Sequence, residues 1–224
     1  MANNKPYWVS TNPIKTIAEF YNKNEAKNKG SLLKVYFDAF SIGKVRFSFA
    51  ECDANMKRLS NQKTDFYLDI DKALVLAEDI TRNKLTKDIL EEQKKNPKYT
   101  NPVRDFPSGV NAEKAKERGI RKDGKPECVR LKISASILKD CDVCIMYESG
   151  PGKMVENGLI APDYSFSKAE KTIRIGAKWE EVRAMALQIK VQWQAYATSC
   201  AVMDAIAHEK FVRQQQKGNN KNAG

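Results

Sequence analysis

The sequence predicts an α+β fold of two similar units, each a set of antiparallel β-strands followed by a helix. Three observations predict it. Residues 31–80 alternate apolar and polar side chains through two short runs, then through a third that leads into a helix. Residues 128–200 return to the same order, and glycine, proline and polar segments separate the runs. Side chains alternate between the faces of a strand but recur every three or four positions on a helix, so a change of period marks each strand-to-helix junction.

Residues 1–30 form an N-terminal segment. Asn12 can cap a short helix with Pro13 at its first position, and Ile14, Ile17, Ala18 and Tyr21 then share one side. Trp8 reads more readily as an aromatic packed on the sheet than as a base-stacking ring. A linker rich in lysine and asparagine follows, from Asn22 to Gly30.

The first sheet-plus-helix unit covers 31–96. Leu33, Val35, Phe37 and Ala39 fall on one face of the first run, and Lys34, Tyr36, Asp38 and Phe40 on the other. Gly43 allows a turn. In the second run Val45, Phe47 and Phe49 oppose Lys44, Arg46 and Ser48. A polar loop from Asp53 to Lys63 carries Lys57 and Arg58, of a composition that can track a phosphate backbone or simply face solvent. The third run turns Phe66, Leu68 and Ile70 inward and Tyr67 outward, and Asp69 or Asp71 can cap the helix that follows. Leu74, Ala77 and Ile80 give that helix a core stripe, and a second helical segment from Leu85 to Lys95 stops before Asn96-Pro97.

Residues 97–127 read as a basic connector containing proline and glycine, with cations clustered from Lys114 to Lys125. The second unit, 128–209, opens with Val129, Leu131, Ile133 and Ala135 against Arg130, Lys132 and Ser134. A turn near Lys139-Asp140 leads to a strand through Val143, Ile145 and Tyr147, then a Gly-Pro-Gly break at 150–152 and a short strand near Leu159 and Ile160. The run from Lys171 to Ile175, with Arg174 outward, enters a long helix that starts near Lys178. Its apolar stripe exceeds what one small sheet needs, so the later part, Trp193 to Ile206, is expected to pack between the halves or against a second subunit. The basic stretch 210–224 is expected to be a disordered tail.

Bulk properties narrow the function. A chain of 224 residues with 42% hydrophobic content can bury a real core. No apolar run is long enough to span a bilayer, no secretory signal opens the chain, and five cysteines fit a reducing compartment, so a soluble cytoplasmic protein is expected. Lys+Arg 39 against Asp+Glu 28 gives a net charge of +11, which favours polyanionic partners because neutralised phosphates release counterions.

Catalytic signals are weak. His208 is the lone histidine and has no evident serine or cysteine partner. Cys141 and Cys144 form one Cys-x-x-Cys, and a zinc site would need Cys52 and Cys128 to converge on it. Asp69, Asp71, Glu78 and Asp79 match helix caps and a solvated helix face better than a magnesium site. The segment Gly150-Pro-Gly-Lys153 lacks the spacing of a phosphate-binding loop. No enzyme, catalytic residue, cofactor or metal is expected.

Antiparallel strands followed by a helix, twice in one chain, resemble the Whirly and transcriptional-coactivator group of single-strand-binding folds. The resemblance is one of topology and covers 31–80 and 128–200. It implies a pseudo-twofold arrangement, with the helices packed together and the sheets splayed outward to bind unpaired strands. Read independently, cations and rings on an open sheet face form an electrostatic track with stacking platforms. The expected binding residues are Lys34, Tyr36, Lys44, Arg46 and Tyr67 in a first patch, Arg130, Lys132 and Arg174 in a second, with Lys57 and Arg58 beside them. The expected function is sequence-tolerant binding of single-stranded nucleic acid, DNA favoured over RNA, in replication, recombination or transfer of a phage or mobile element. The alternative is a protein-binding adaptor or inhibitor of a nucleoprotein complex.

Overall fold

The computed structural model describes residues 16–24, 29–53, 63–96, 101–138, 140–156, 158–164 and 168–221. Its first sheet (sheet A) is an antiparallel meander of β1 (Thr16–Asn24), β2 (Lys29–Tyr36), β3 (Lys44–Asp53) and β4 (Thr64–Asp69), in that order. Helices α1 (Ile70–Thr81) and α2 (Lys84–Lys95) follow. In the second sheet (sheet B), β5 (Arg104–Val110), β6 (Glu127–Ala135) and β7 (Val143–Met154) lie side by side, with α3 (Ala112–Glu117) between β5 and β6. The first part of β7 then pairs with β9 (Lys171–Ala177), and its last three residues pair with β8 (Ile160–Pro162). Helix α4 (Trp179–Lys221) ends the described chain. The α+β class is as expected, and each sheet is a meander that runs into a helix.

Alternation explains why these runs are strands. Val45, Phe47 and Phe49 of β3 and Phe66 and Leu68 of β4 are buried, as are Leu131, Ile133, Ile145, Ile173 and Ile175 of sheet B. All belong to one apolar core shared with α1, α2 and α4. Phe49 meets Tyr147 at 5.6 Å between ring centroids, joining the two sheets in the interior. Ala73 and Ala77 on α1 and Ala186 on α4 are fully buried, and their small side chains let the two helices approach. At the surface Lys190 pairs with Glu78 at 2.6 Å and Arg183 donates to Asn83.

Asn22 joins the sheets at their edges. Its side-chain amide donates to the Gly176 carbonyl at 2.9 Å, and its oxygen accepts from the Gly176 N–H. One side chain thus gives β9 the pair of bonds that a neighbouring strand would otherwise supply.

Several expectations are corrected. The helix expected from Asn12 does not continue through Tyr21, because 16–24 are β1; Asn12 to Lys15 and Trp8 lie outside the described residues. Ile17, Phe20 and Tyr21 fit helix and strand alike, and pairing along the whole length of β2 decides for the strand. The run through Phe40 ends at Tyr36, and Phe40 enters a short 3-10 turn (Phe40–Ile42) closed by Gly43 at φ 67°. There its ring is buried against Trp193 and Tyr196, with centroids 5.4 and 5.7 Å away.

The 97–127 segment is no plain connector, because β5 pairs with β6 over seven residues and α3 follows, capped by the Asn111 side chain. Pro107 is tolerated because β5 is an edge strand. The Gly-Pro-Gly sequence does not break β7. Pro151, which has no N–H, sits where β7 changes partner from β9 to β8, and its carbonyl accepts from the Asp163 N–H at 2.8 Å. A Cβ at Gly152 would stand 2.5 Å from the Ile160 side chain, so only glycine admits β8 there. Finally, 210–221 continue α4 as helix rather than forming a disordered tail. Lysine and glutamine are good helix formers, and no proline interrupts them.

Among the described residues, no helix is long and apolar enough to cross a membrane. Replacing Asn22 with alanine should lower unfolding free energy by about 1–3 kcal/mol, since two backbone groups of Gly176 lose their partner. Urea denaturation followed by circular dichroism measures this, and an unchanged midpoint would contradict the bridging role.

Candidate nucleic-acid interface

The side of sheet A turned away from the core carries the residues expected to bind. Strand pairing sets Tyr36 opposite Arg46 and Arg46 opposite Tyr67, so the three lie in one row across β2, β3 and β4. The Arg46 guanidinium carbon lies 4.1 Å from the centre of the Tyr36 ring, a cation–π contact. Tyr67 is 42% exposed, the most accessible ring of the row. Its position follows from β4 itself, where Phe66 and Leu68 face the core and leave Asp65, Tyr67 and Asp69 outward.

Carboxylates accompany the cations of this face. Arg46 donates to both oxygens of Asp38, at 3.0 and 2.5 Å, and lies 3.5 Å from Asp65. Lys44 meets Asp69 at 2.6 Å, and Lys72 reaches the other oxygen at 2.9 Å. Lys34 meets Glu19 at 3.0 Å. Burial works against the charge on Arg46, but the hydrogen bond and charge of Asp38 outweigh it and raise the pKa. Asp69 is held below the usual carboxylate range, first by its hydrogen bond from Lys44 and then by that from Lys72. Desolvation pushes the Tyr36 hydroxyl up.

Lys34 is therefore not part of an open track. Its side chain is only 6% exposed, enclosed by β1, the strand whose existence the local sequence concealed. Tyr36, Lys44, Arg46 and Tyr67 remain reachable on the surface. Lys57 and Arg58 lie outside the described residues.

Of the second expected patch, Lys132 is closed, while Arg130 is paired and half-buried much as Arg46 is. Lys132 is wholly buried, its ammonium paired with Glu148, which is equally buried. Arg130 is bound by Asp105 of β5, and its side chain is 21% exposed. The Tyr164 ring packs on Gly150, on the same face as Glu148. Arg121 holds the approach to β6 by binding Asp123, Glu127 and Glu170 together. This layer comes from the segment read as a connector and from the residues before β9, which is why alternation alone placed Lys132 on a surface. Arg174 stays exposed on the rim of a cleft of about 380 Å³, where the edges of the two sheets meet. Lys29 and Glu51 share that rim, and Met146 and Ile173 line the interior.

The sequence reading leaves out the carboxylate partners of these cations. Their signal is strand parity, because Asp65 and Asp69 alternate with Phe66 and Leu68 as Lys44 and Arg46 alternate with Val45 and Phe47. Among the described residues no group of three or more His, Cys, Asp or Glu side chains is placed to hold a metal ion. Burial pushes the Cys144 thiol up to about 11, which disfavours its thiolate at neutral pH.

No family model matches this chain, and neither does any curated protein or solved structure.

Removing one partner of the Lys132–Glu148 pair should be costly, because the other charge stays buried alone. Lys132→Met is expected to destabilise by about 3–5 kcal/mol, and Lys132→Met with Glu148→Leu should recover most of that. Denaturation curves of both variants measure it, and equal losses would contradict a compensated pair.

Proposed function

We propose that the protein binds single-stranded nucleic acid, DNA in preference to RNA, through the open face of sheet A and without strong sequence preference. The observation that carries this reading is the row Tyr36–Arg46–Tyr67. The exposed Tyr67 ring and the Arg46 guanidinium, which lies over the Tyr36 ring, put planar groups on one sheet face, on which unpaired bases can stack. The net charge of +11 favours a polyanion, and two meanders each running into a helix accord with the Whirly-type resemblance, whose pseudo-twofold arrangement belongs to the proposal. Tyr67 and the Tyr36–Arg46 pair supply the platforms, while Lys44 and Arg46 meet phosphates. Lys34 and Lys132 are structural cations in this reading, and Arg130 and Arg174, on the other sheet, stand beside the path.

Internal pairing limits the electrostatic part. With two cations, Lys44 and Arg46, able to exchange a carboxylate for a phosphate, log affinity should fall with log salt at a slope of about −1.4. A specific observation also favours a second reading, as a protein-binding adaptor. Lys44 and Arg46 each already have a carboxylate partner, which suits a mixed-charge protein surface.

Fluorescence anisotropy with a labelled oligothymidine separates the two. Tyr67→Ala should weaken binding about 5- to 150-fold, the loss of one stacked base. Asp65→Asn, which frees Arg46 from one carboxylate, should strengthen binding. Absence of binding at low salt, or indifference to both changes, would overturn the nucleic-acid reading in favour of the adaptor.

A further inference from the structure

Lys44, Arg46, Arg104 and Arg130 on the strands each meet a carboxylate of the protein. Lys29 and Arg174, two further strand cations, make no ion pair with any described residue. Both stand exposed on the rim of the cleft where the sheet edges meet. Strand pairing puts them there. Arg174 lies opposite Met146 in the pairing of β9 with β7, so the two share one side of sheet B. Lys29 opens β2 beside Ser31, the partner of Asn22, which ties β1 to Gly176 of β9.

The wall of the cleft is apolar. Met146 and Ile173 are buried at its base. Beyond β6 the chain turns, and Ser136 fixes the turn. Its hydroxyl oxygen accepts from the Leu138 N–H at 3.0 Å, and its own N–H donates to the Asp142 carbonyl at 3.1 Å. This turn leaves Ile137 80% and Leu138 45% exposed, both lining the cleft. Apolar side chains held in that way, outside the core, gain free energy when a ligand covers them.

Size and charge narrow the ligand. A cleft of about 380 Å³ falls within the range of small-molecule sites, which combine an apolar lining with a few charged groups. Among the described residues lining it, Lys23, Lys29 and Arg174 are positive and Glu51 alone is negative, an excess that favours an anion. A guanidinium also matches the planar oxygen pair of a carboxylate or phosphate. A bare inorganic anion would leave the apolar wall wet, and a neutral apolar molecule would leave the cations without a partner. An acidic head on an apolar body satisfies both halves of the cleft.

We propose that this cleft binds a small organic anion, a carboxylate or phosphate monoester carried on an apolar body. Arg174 and Lys29 take the head, and Ile137, Leu138 and Met146 take the body. Lys29 and Tyr36 stand at opposite ends of β2, about 23 Å apart, so the cleft is separate from the Tyr36–Arg46–Tyr67 row. The inference does not depend on the nucleic-acid reading.

Isothermal titration calorimetry on the nuclease-treated full chain tests it, with 4-phenylbutyrate, phenyl phosphate and the neutral 4-phenylbutanol as probes. At least one of the two anions should bind, one per chain, with a dissociation constant below about 1 mM. The tighter of the two identifies the head. The alcohol should bind about tenfold more weakly, for want of a charged hydrogen-bond acceptor. Arg174→Ala and Lys29→Ala should each weaken binding of that anion about 5- to 10-fold. Leu138→Asp should weaken it as well, and Glu51→Gln should tighten it, all with an unchanged circular-dichroism spectrum. Absence of saturable heat from both anions overturns the proposal. So does equal affinity for the alcohol, or binding that is indifferent to Arg174→Ala and Lys29→Ala.

Discussion

The single apolar interior shared by both sheets and by α1 and α4 is the constraint on which everything else rests. Phe49 and Tyr147 touch across it, and Leu76, Ile80, Met185 and Ile189 close it from the helix side. Because the inner faces of both sheets are committed to this core, only their outer faces remain for chemistry. Asn22 then joins the sheet edges with two hydrogen bonds, so the outer faces stay in fixed relation at that seam. Sheet B closes much of its own outer face with Asp105 of β5, the buried Lys132–Glu148 pair and Tyr164. Sheet A leaves more of its outer face open, and the proposed site lies there for that reason.

Electrostatics explains why the open face looks less basic than the chain as a whole. A cation on a sheet surface, partly stripped of water, is stabilised by a carboxylate on the neighbouring strand. Arg46 with Asp65, and Lys44 with Asp69, follow that rule, and Asp38, the other partner of Arg46, stands just past the end of β2. The unburied surplus is carried elsewhere, for example by Lys94, Lys95, Lys114, Lys116, Arg118 and Lys122, all exposed on or beside helices. The net charge of the whole chain is therefore not the charge of this face. The same physics, taken to full burial, turns Lys132 from a candidate ligand-binding group into a structural one.

The strands of residues 31–80 and 128–177 were legible because period-two alternation with large apolar residues has few other solutions. Helices α1, α2 and the first part of α4 were legible from their stripes, and the end of α2 from Asn96-Pro97, whereas α3 and the last turns of α4 were not. Less legible was β1, since Ile17, Phe20 and Tyr21 suit two periods and the choice is made by β2, which lies outside the local window. The strand β5 was concealed by Pro107 and Gly109, residues that an edge strand accepts and a central one does not. Within the site, the facing of Tyr36, Arg46 and Tyr67 followed from alternation alone. Their pairing with Asp38 and Asp65 needed the alignment of three strands, and the cover over Lys132 needed tertiary structure.

The row of Tyr36, Arg46 and Tyr67 also sets a geometric limit. Adjacent strands lie about 4.8 Å apart, so the two rings, two strands apart, are separated by about 10 Å. That gap is far wider than the spacing of stacked bases and close to what one or two backbone steps of an extended chain can cover. Any linear ligand touching both rings must travel crosswise to the β-strands and leave its middle unit above the guanidinium. The footprint is then two or three units long, fixed by the pitch of the sheet itself.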